Sequence, residues 1–227
     1  MIFCAKNKKI PNYTALTLNN ISIHRSHQEN YLGLHLDDKL DWRAHIDHVK
    51  SKVSSITGAL RRAVGCIPRE VRMTIYNSLV KSHLEYLIEI WGCAAETNLK
   101  PLQTAQNKLV KILFNYDFFT NTLVLYKETK IFNIKQLYTY ATCNLINKNM
   151  CGNQHSCLKF TIQTYKHTMR YKNKIQTRKP RTTCYGIKNI MYEGVQLFNN
   201  LPNCIKTCTT VKEFKKNLKL YVYSLLN

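Results

Sequence analysis

A chain of 227 residues with 44% hydrophobic content can bury the core of one compact domain or two small ones. Its 34 lysines and arginines against 13 aspartates and glutamates give a formal charge of +21. Such an excess opposes compaction through self-repulsion and suits a polyanionic partner, nucleic acid before an anionic membrane. No apolar run approaches the roughly 18 residues that span a bilayer, and the N-terminal MIFCAKNKK is charged too soon for a secretory signal. No membrane partner is expected. The nine cysteines are accordingly expected to be mostly small buried thiols in a reducing intracellular compartment, nuclear or cytoplasmic.

The first 36 residues read as strands. MIFCA is a short apolar run, and YTALTL and ISIH flank Asn19-Asn20, a pair that tolerates the left-handed conformations of a tight hairpin. In YLGLHL, Tyr31, Gly33 and His35 alternate with Leu32, Leu34 and Leu36, which predicts one strand with a leucine face. So few strands suggest the edge of a larger sheet.

The pattern changes at Asp41, the predicted N-cap. Trp42, Ile46, Val49, Val53, Ile56, Leu60 and Val64 recur at helical spacing, with Arg61 and Arg62 near the negative end of the helix dipole. Gly65 ends this helix and Pro68 opens the next, predicted as continuous over 69–91 with Met73, Tyr76, Val80, Leu84, Leu87 and Trp91 on a broad apolar face. A third helix over 99–115 carries Leu99, Leu102, Leu109 and Leu113, and Gln106 interrupts its stripe, which predicts a polar contact or a rim position. Three helices joined by short turns predict an antiparallel bundle. Residues 123–149 read as helical with a break near Phe132, whereas 150–203 show no sustained period. Thr210-Val211-Lys212-Glu213 matches a capping box before a last helix over 211–226. The expected division is 1–36, 37–117, 118–150, 151–203 and 204–227. The fold class is mainly α, with a small N-terminal β-hairpin or strand remnant, a helix bundle, a basic and less regular region, and a C-terminal helix.

From Thr129 to Tyr192 there is no acidic residue, while Lys166, Arg170, Lys172, Lys174, Arg178, Lys179 and Arg181 stand among tyrosines. Cations displace counterions from a phosphate backbone and aromatic rings stack on exposed bases, so this stretch is a candidate nucleic-acid surface. The alternative is a solvated basic surface whose tyrosines turn inward. Asp37 and Asp38 invite a metal reading, but two-metal chemistry needs carboxylates converging from separate elements, and a pair between strand and helix suits turn and capping work. His45 and His48, with Asp41 and Asp47 near, lack the further Cys or His of a zinc site. Cys143, Cys151, His155 and Cys157 form the one Cys/His group; its spacing matches neither a zinc knuckle nor a paired C-x-x-C finger, and no metal site is assigned. No glycine-rich phosphate loop, nucleophile elbow or H-E-x-x-H is present.

Three strings together resemble the jockey-like reverse transcriptases of non-LTR (LINE) retrotransposons. YLGLHLDDKLDWRAHI, from Tyr31, is similar to their primer-grip strand and thumb entry. EYLIEIWGCAAETNLKPLQTAQNKLVKIL is similar to their second and third thumb helices, with Tyr86, Trp91, Gly92, Leu102, Gln106, Asn107 and Lys108 at matching places. GVQLFNNLPNCIKTCTTVKEFKKNLKLYV matches a C-terminal motif through Phe198, Asn199, Leu201, Pro202, Phe214, Lys215, Leu218 and Lys219. The resemblance implies a thumb-like bundle that grips an RNA or RNA–DNA template–primer. Tyr31, Leu32 and Gly33 would position the primer 3′ end, and Lys50, Lys52, Arg61 and Arg62 join the basic stretch as phosphate contacts. It also implies that the catalytic carboxylates and their magnesium belong to a palm preceding Met1. On that reading this chain is no enzyme alone, holds no cofactor, and has the fingers and palm as a partner. A rival reading is a domesticated, non-enzymatic protein whose helices over 42–115 bind a protein; another is a complete enzyme of unknown type, which metal-dependent nuclease activity lost on changing Asp37 and Asp38 to Asn would support.

Overall fold

The computed structural model describes residues 1–3, 16–151, 162–163, 174–177, 179–182, 186–208 and 210–225. Two hairpins come first. Strand β1 (Leu16–Leu18) pairs antiparallel with β2 (Ile21–Ile23). Asn19 at φ 48° and Asn20 at φ 62° make the two-residue left-handed turn that their side chains tolerate.

The second hairpin corrects the expected single strand over YLGLHL. β3 (Gln28–Tyr31) pairs with β4 (Leu34–Asp37), and the chain reverses at Leu32 (φ 50°) and Gly33 (φ 78°). Alternating leucines fit a strand as well as a hairpin arm, and Leu32 is an uncommon residue in this backbone region. Among the described residues the strands form only two-stranded ladders.

Asp37 ties the hairpin to the first helix, α1 (Arg43–Ala63). Its Oδ1 accepts from the Lys39 and Asp41 amides at 3.0 and 3.1 Å, and its Oδ2 from Trp42 at 3.0 Å. The predicted N-cap Asp41 lies one residue too early: Trp42, at φ 63°, stands at the cap and is buried, while Asp41 Oδ1 accepts from Arg43 N. Ile46, Val49, Val53 and Leu60 of α1 enter the core as their spacing predicts.

The helix predicted over 69–91 is broken. α2 (Arg69–Ile75) opens after Pro68 and loosens into a π-helical turn over Tyr76–Lys81, then α3 (Ser82–Glu85). Tyr86 is extended, Leu87 takes φ 49°, and α4 (Ile88–Trp91) follows. The Ser78 and Ser82 hydroxyls bond back to carbonyls one turn earlier, an arrangement that bends helices. The Trp91 indole takes the Tyr86 carbonyl at 2.9 Å, which fixes the break.

α5 (Glu96–Phe114) lies along α1. The two run the same way, since Asn98 near the start of α5 donates to the Asp41 carbonyl before α1. The intervening helices return, which gives the expected alternation. α6 (Thr122–Thr129) and α7 (Ile134–Met150) are separated at Lys130 (φ 53°), near the predicted break, and α7 starts on a capping box between Asn133 and Gln136. α7 is the central strut, packing against α3, α4 and two later helices, α8 (Val195–Asn199) and α10 (Val211–Ser224). Thr210 caps α10 by accepting from Glu213 N, and Phe214, Leu218 and Val222 are buried. A short α9 (Asn203–Lys206) lies between α8 and α10.

Helical structure over 190–199, a π-helical turn at Ile190–Gly194 running into α8, lies where no period was legible. Asn199 there both donates to the Ile175 carbonyl (2.9 Å) and accepts from its amide (3.0 Å). This pins β6 (Lys174–Ile175), which pairs with β5 (Ile162–Gln163), to α8.

Candidate nucleic-acid interface

Tyr31, Leu32 and Gly33 form the tip of the second hairpin, where Tyr31 is 64% and Leu32 69% exposed. The Tyr86 hydroxyl donates to the Leu32 carbonyl at 2.6 Å, across 54 residues of sequence. A β-carbon at Gly33 would sit 3.5 Å from the Tyr86 ring, so the ring lies directly over the turn. The tip is thus presented to solvent and braced from behind by the broken helix.

A second feature lies between α1 and α5. Ser54, Thr57, Gly58 and Arg61 face Ala105, Lys108 and Ile112 across a groove of about 140 Å³. Small side chains keep the floor low, and nothing lies within 4 Å of the β-carbon position at Gly58. Arg61 and Lys108 supply cations at its rim, and Lys50 shares the Ser54 and Arg61 face by helical spacing. The four basic residues picked out on α1 therefore divide. Lys50 and Arg61 belong to the groove side; Arg62 is exposed a third of a turn away; and exposed Lys52 acts on His45 and His48, on the far side. Lys108 was not among the predicted contacts. Its signal was its place three residues after Ala105 and four before Ile112, readable only once α5 is known to face α1.

In the basic region Lys174, Lys179 and Arg181 are exposed, and Lys174 rides on the strand that Asn199 anchors. Lys166, Arg170, Lys172 and Arg178 lie outside the described residues, as do His155 and Cys157 of the Cys/His group, whose Cys151 is exposed.

The aspartate pair does not fit a magnesium site. Both Asp37 oxygens are committed to backbone amides, and Asp38 Oδ2 bonds His27 at 2.9 Å and Arg25 at 3.4 Å. The hydrogen bond from His27, above all, holds the Asp38 carboxyl below its usual range. His45 is buried, and its Nδ1 receives the His35 amide at 3.5 Å. The rings of His35 and His48 lie 4.4 Å apart. Burial, with His35, His48 and Lys52 adding positive charge, pushes the His45 pKa down to about 4. No group of three or more His, Cys, Asp or Glu able to hold a metal ion occurs among the described residues. Burial pushes the Cys143 thiol up to about 12, so it is an inert core group. Among the described residues no helix is long and apolar enough to cross a membrane.

This combination of a mainly helical fold, an exposed hairpin tip and a cation-rimmed groove accompanies similarity to one class of protein, the RNA-directed DNA polymerases of transposable elements. The chain is 20% identical over 117 residues to the Drosophila melanogaster protein named "Probable RNA-directed DNA polymerase from transposon X-element". It is 24% identical over 120 residues to the RNA-directed DNA polymerase from mobile element jockey of Drosophila funebris, and 21% over 137 to that named for transposon BS in Drosophila melanogaster. The first two matches cover 50% and 51% of this chain and 13% of each polymerase. The matched stretch spans about an eighth of the length of these relatives. No protein-family model matches the chain, and no solved structure does. About half of the chain is thus similar to jockey-, X-element- and BS-type retrotransposon polymerases.

Proposed function

We propose that this chain is the nucleic-acid-gripping portion of a retrotransposon RNA-directed DNA polymerase, holding the template–primer while catalytic carboxylates and magnesium are supplied from elsewhere in the polymerase. The observation that carries this is the homology of half the chain to such polymerases. The charge of +21 and the groove rimmed by Arg61 and Lys108 support it, because cations flanking a low floor suit a phosphate backbone. Tyr31, Leu32 and Gly33 then meet the primer 3′ end, where a glycine in a left-handed turn lets backbone approach the strand closely. The fingers and palm pack on the first hairpin, whose Leu16, Leu18, Ile21 and Ile23 are all exposed and pair on one face.

The test is binding of the whole 227-residue chain to an RNA–DNA hybrid across a salt series. A grip on roughly 6 to 10 phosphates loses about 10³ to 10⁵ in affinity between about 50 and 200 mM salt. A complex insensitive to salt, or no complex at the lowest salt, overturns the proposal. With magnesium, primed template and deoxynucleotides, the chain alone is expected to extend no primer.

A further inference from the structure

We infer that Tyr86 is a positioning residue for the hairpin tip: its hydroxyl on the Leu32 carbonyl holds Tyr31, Leu32 and Gly33 where they meet a nucleic-acid 3′ end. The inference rests on the reading of that tip as the 3′-end contact and assigns the residue that aims it.

Two leucines in the left-handed region flank this one hydrogen bond, one of them beside a glycine for which that region is ordinary. Leu32 and Gly33 take φ 50° and 78° in the turn, and Leu87, directly after Tyr86, takes φ 49°. A leucine in the left-handed region is disfavoured, and such positions persist where the surroundings over-determine them, often at functional sites. The π-helical turn at Tyr76–Lys81, ten residues before Tyr86 at its start, is a second irregularity of the kind found at functional sites. Without the break, Tyr86 would continue a helix whose neighbours Leu84 and Ile88 are fully buried. With it, the phenol leaves the helix and reaches the hairpin.

The break is also anchored. The indole of Trp91, itself fully buried, donates to the Tyr86 carbonyl at 2.9 Å, and its ring meets His45 edge-on at 5.5 Å. A rigid path therefore runs from the core through Trp91 and Tyr86 to a tip that is otherwise open to solvent. Tyr86 is itself 49% exposed, so losing its hydroxyl frees the tip and leaves the core intact.

The experiment compares wild type and Tyr86→Phe as the full chain. The probes are an RNA–DNA hybrid with a recessed DNA 3′ end and the same hybrid with that end closed by a nucleotide loop. Wild type is expected to favour the recessed end. Tyr86→Phe is expected to lose about two- to tenfold of that preference, the range of one net hydrogen bond, with the salt slope unchanged and a melting temperature lowered by no more than that one bond accounts for. Amide hydrogen exchange at Tyr31 and Leu34, without nucleic acid, is expected to quicken in the variant. A preference retained by Tyr86→Phe, or unchanged exchange, overturns the inference and leaves the tip reading standing. No end preference in wild type overturns the tip reading, and the inference with it.

Discussion

The Gln106 side-chain amide donates to the Tyr76 hydroxyl at 2.9 Å in the middle of the bundle, where neither residue meets solvent appreciably. The same nitrogen donates to the Phe132 carbonyl at 2.8 Å, and Gln103 fills the Gln106 oxygen at 3.0 Å. One polar side chain in an apolar stripe thus joins α2's continuation, α5 and the loop before α7. Gln106→Ala leaves a buried carbonyl and hydroxyl unpaired beside a cavity, so it is expected to lower stability by about 2–4 kcal/mol. Urea unfolding of the variant checks this, and an unchanged midpoint contradicts it.

Gly92 marks a second close approach. A β-carbon there would lie 2.6 Å from both the Ile88 carbonyl oxygen and the Tyr138 ring, so α4 and α7 meet at a distance only glycine allows. The backbone conformation is ordinary (φ −66°), and space alone is limiting. Gly92→Ala is expected to cost about 1–3 kcal/mol as overpacking. Thermal melts should show the drop, and the folded fraction should bind nucleic acid as wild type does.

His45 makes stability depend on pH. Its pKa falls from an ordinary 6.5 to about 4 in the fold, chiefly through burial. The unfolded chain therefore takes up a proton first. This contribution is complete above about pH 6.5 and is lost as pH falls toward 4, at up to about 1.4 kcal/mol per pH unit. His35 from β4, His48 and Lys52 from α1 all oppose a charge on His45, and His83 from α3 opposes one on His48. His45→Phe should flatten the profile of urea midpoint against pH over this window, leaving the smaller slope that His48 supplies. A wild-type profile already flat between about pH 6.5 and 4 contradicts the assignment.

What the sequence disclosed follows from which forces are local. The Asn19-Asn20 turn, the stripes of α1, α5 and α10, and the Asn133-Gln136 start of α7 are set by near neighbours, and periodicity or capping chemistry reveals them. The break at Tyr86–Leu87 has no glycine or proline to announce it; contacts from Trp91 and the distant Leu32 carbonyl hold it. The turn at Leu32-Gly33 was hidden by leucines that alternate as strand residues do. The helical segment ending at Asn199 owes its place to Ile175, buried 24 residues earlier in sequence. At the candidate site, Tyr31, Leu32, Gly33 and Arg61 stand out in the sequence as candidate contacts, though not the turn that joins the first three. Tyr86 and Lys108 do not, because their roles exist only across elements.

Asp37 separates turn chemistry from metal chemistry. One carboxylate accepts three backbone amides at the entry to α1. Asp37→Ala strips those acceptors and is expected to cost about 1–3 kcal/mol, at or above a usual cap. Magnesium should not raise the wild-type melting temperature, and neither wild type nor Asp37→Asn should cleave nucleic acid. Cleavage by wild type that Asp37→Asn abolishes would return the pair to catalysis.

The groove makes a prediction that differs in kind from one at the tip. Arg61 and Lys108 stand at the rim of a channel floored by Ser54, Gly58 and Ala105, so their contacts would be with phosphate oxygens and would carry no sequence information. Each alanine substitution, Arg61→Ala or Lys108→Ala, is expected to weaken hybrid binding uniformly across sequences and to lower the salt slope by about 1. Because the two act on one backbone from facing helices, the double variant should lower the slope by about 2. Neither should alter the preference for a recessed 3′ end, which belongs to the hairpin. Gly58→Leu, filling an open position on the floor without changing charge, separates shape from charge: binding should weaken while little of the slope is lost. Full affinity in Gly58→Leu would mean the phosphates run elsewhere, and a slope unmoved in the double variant would remove the groove from the interface altogether.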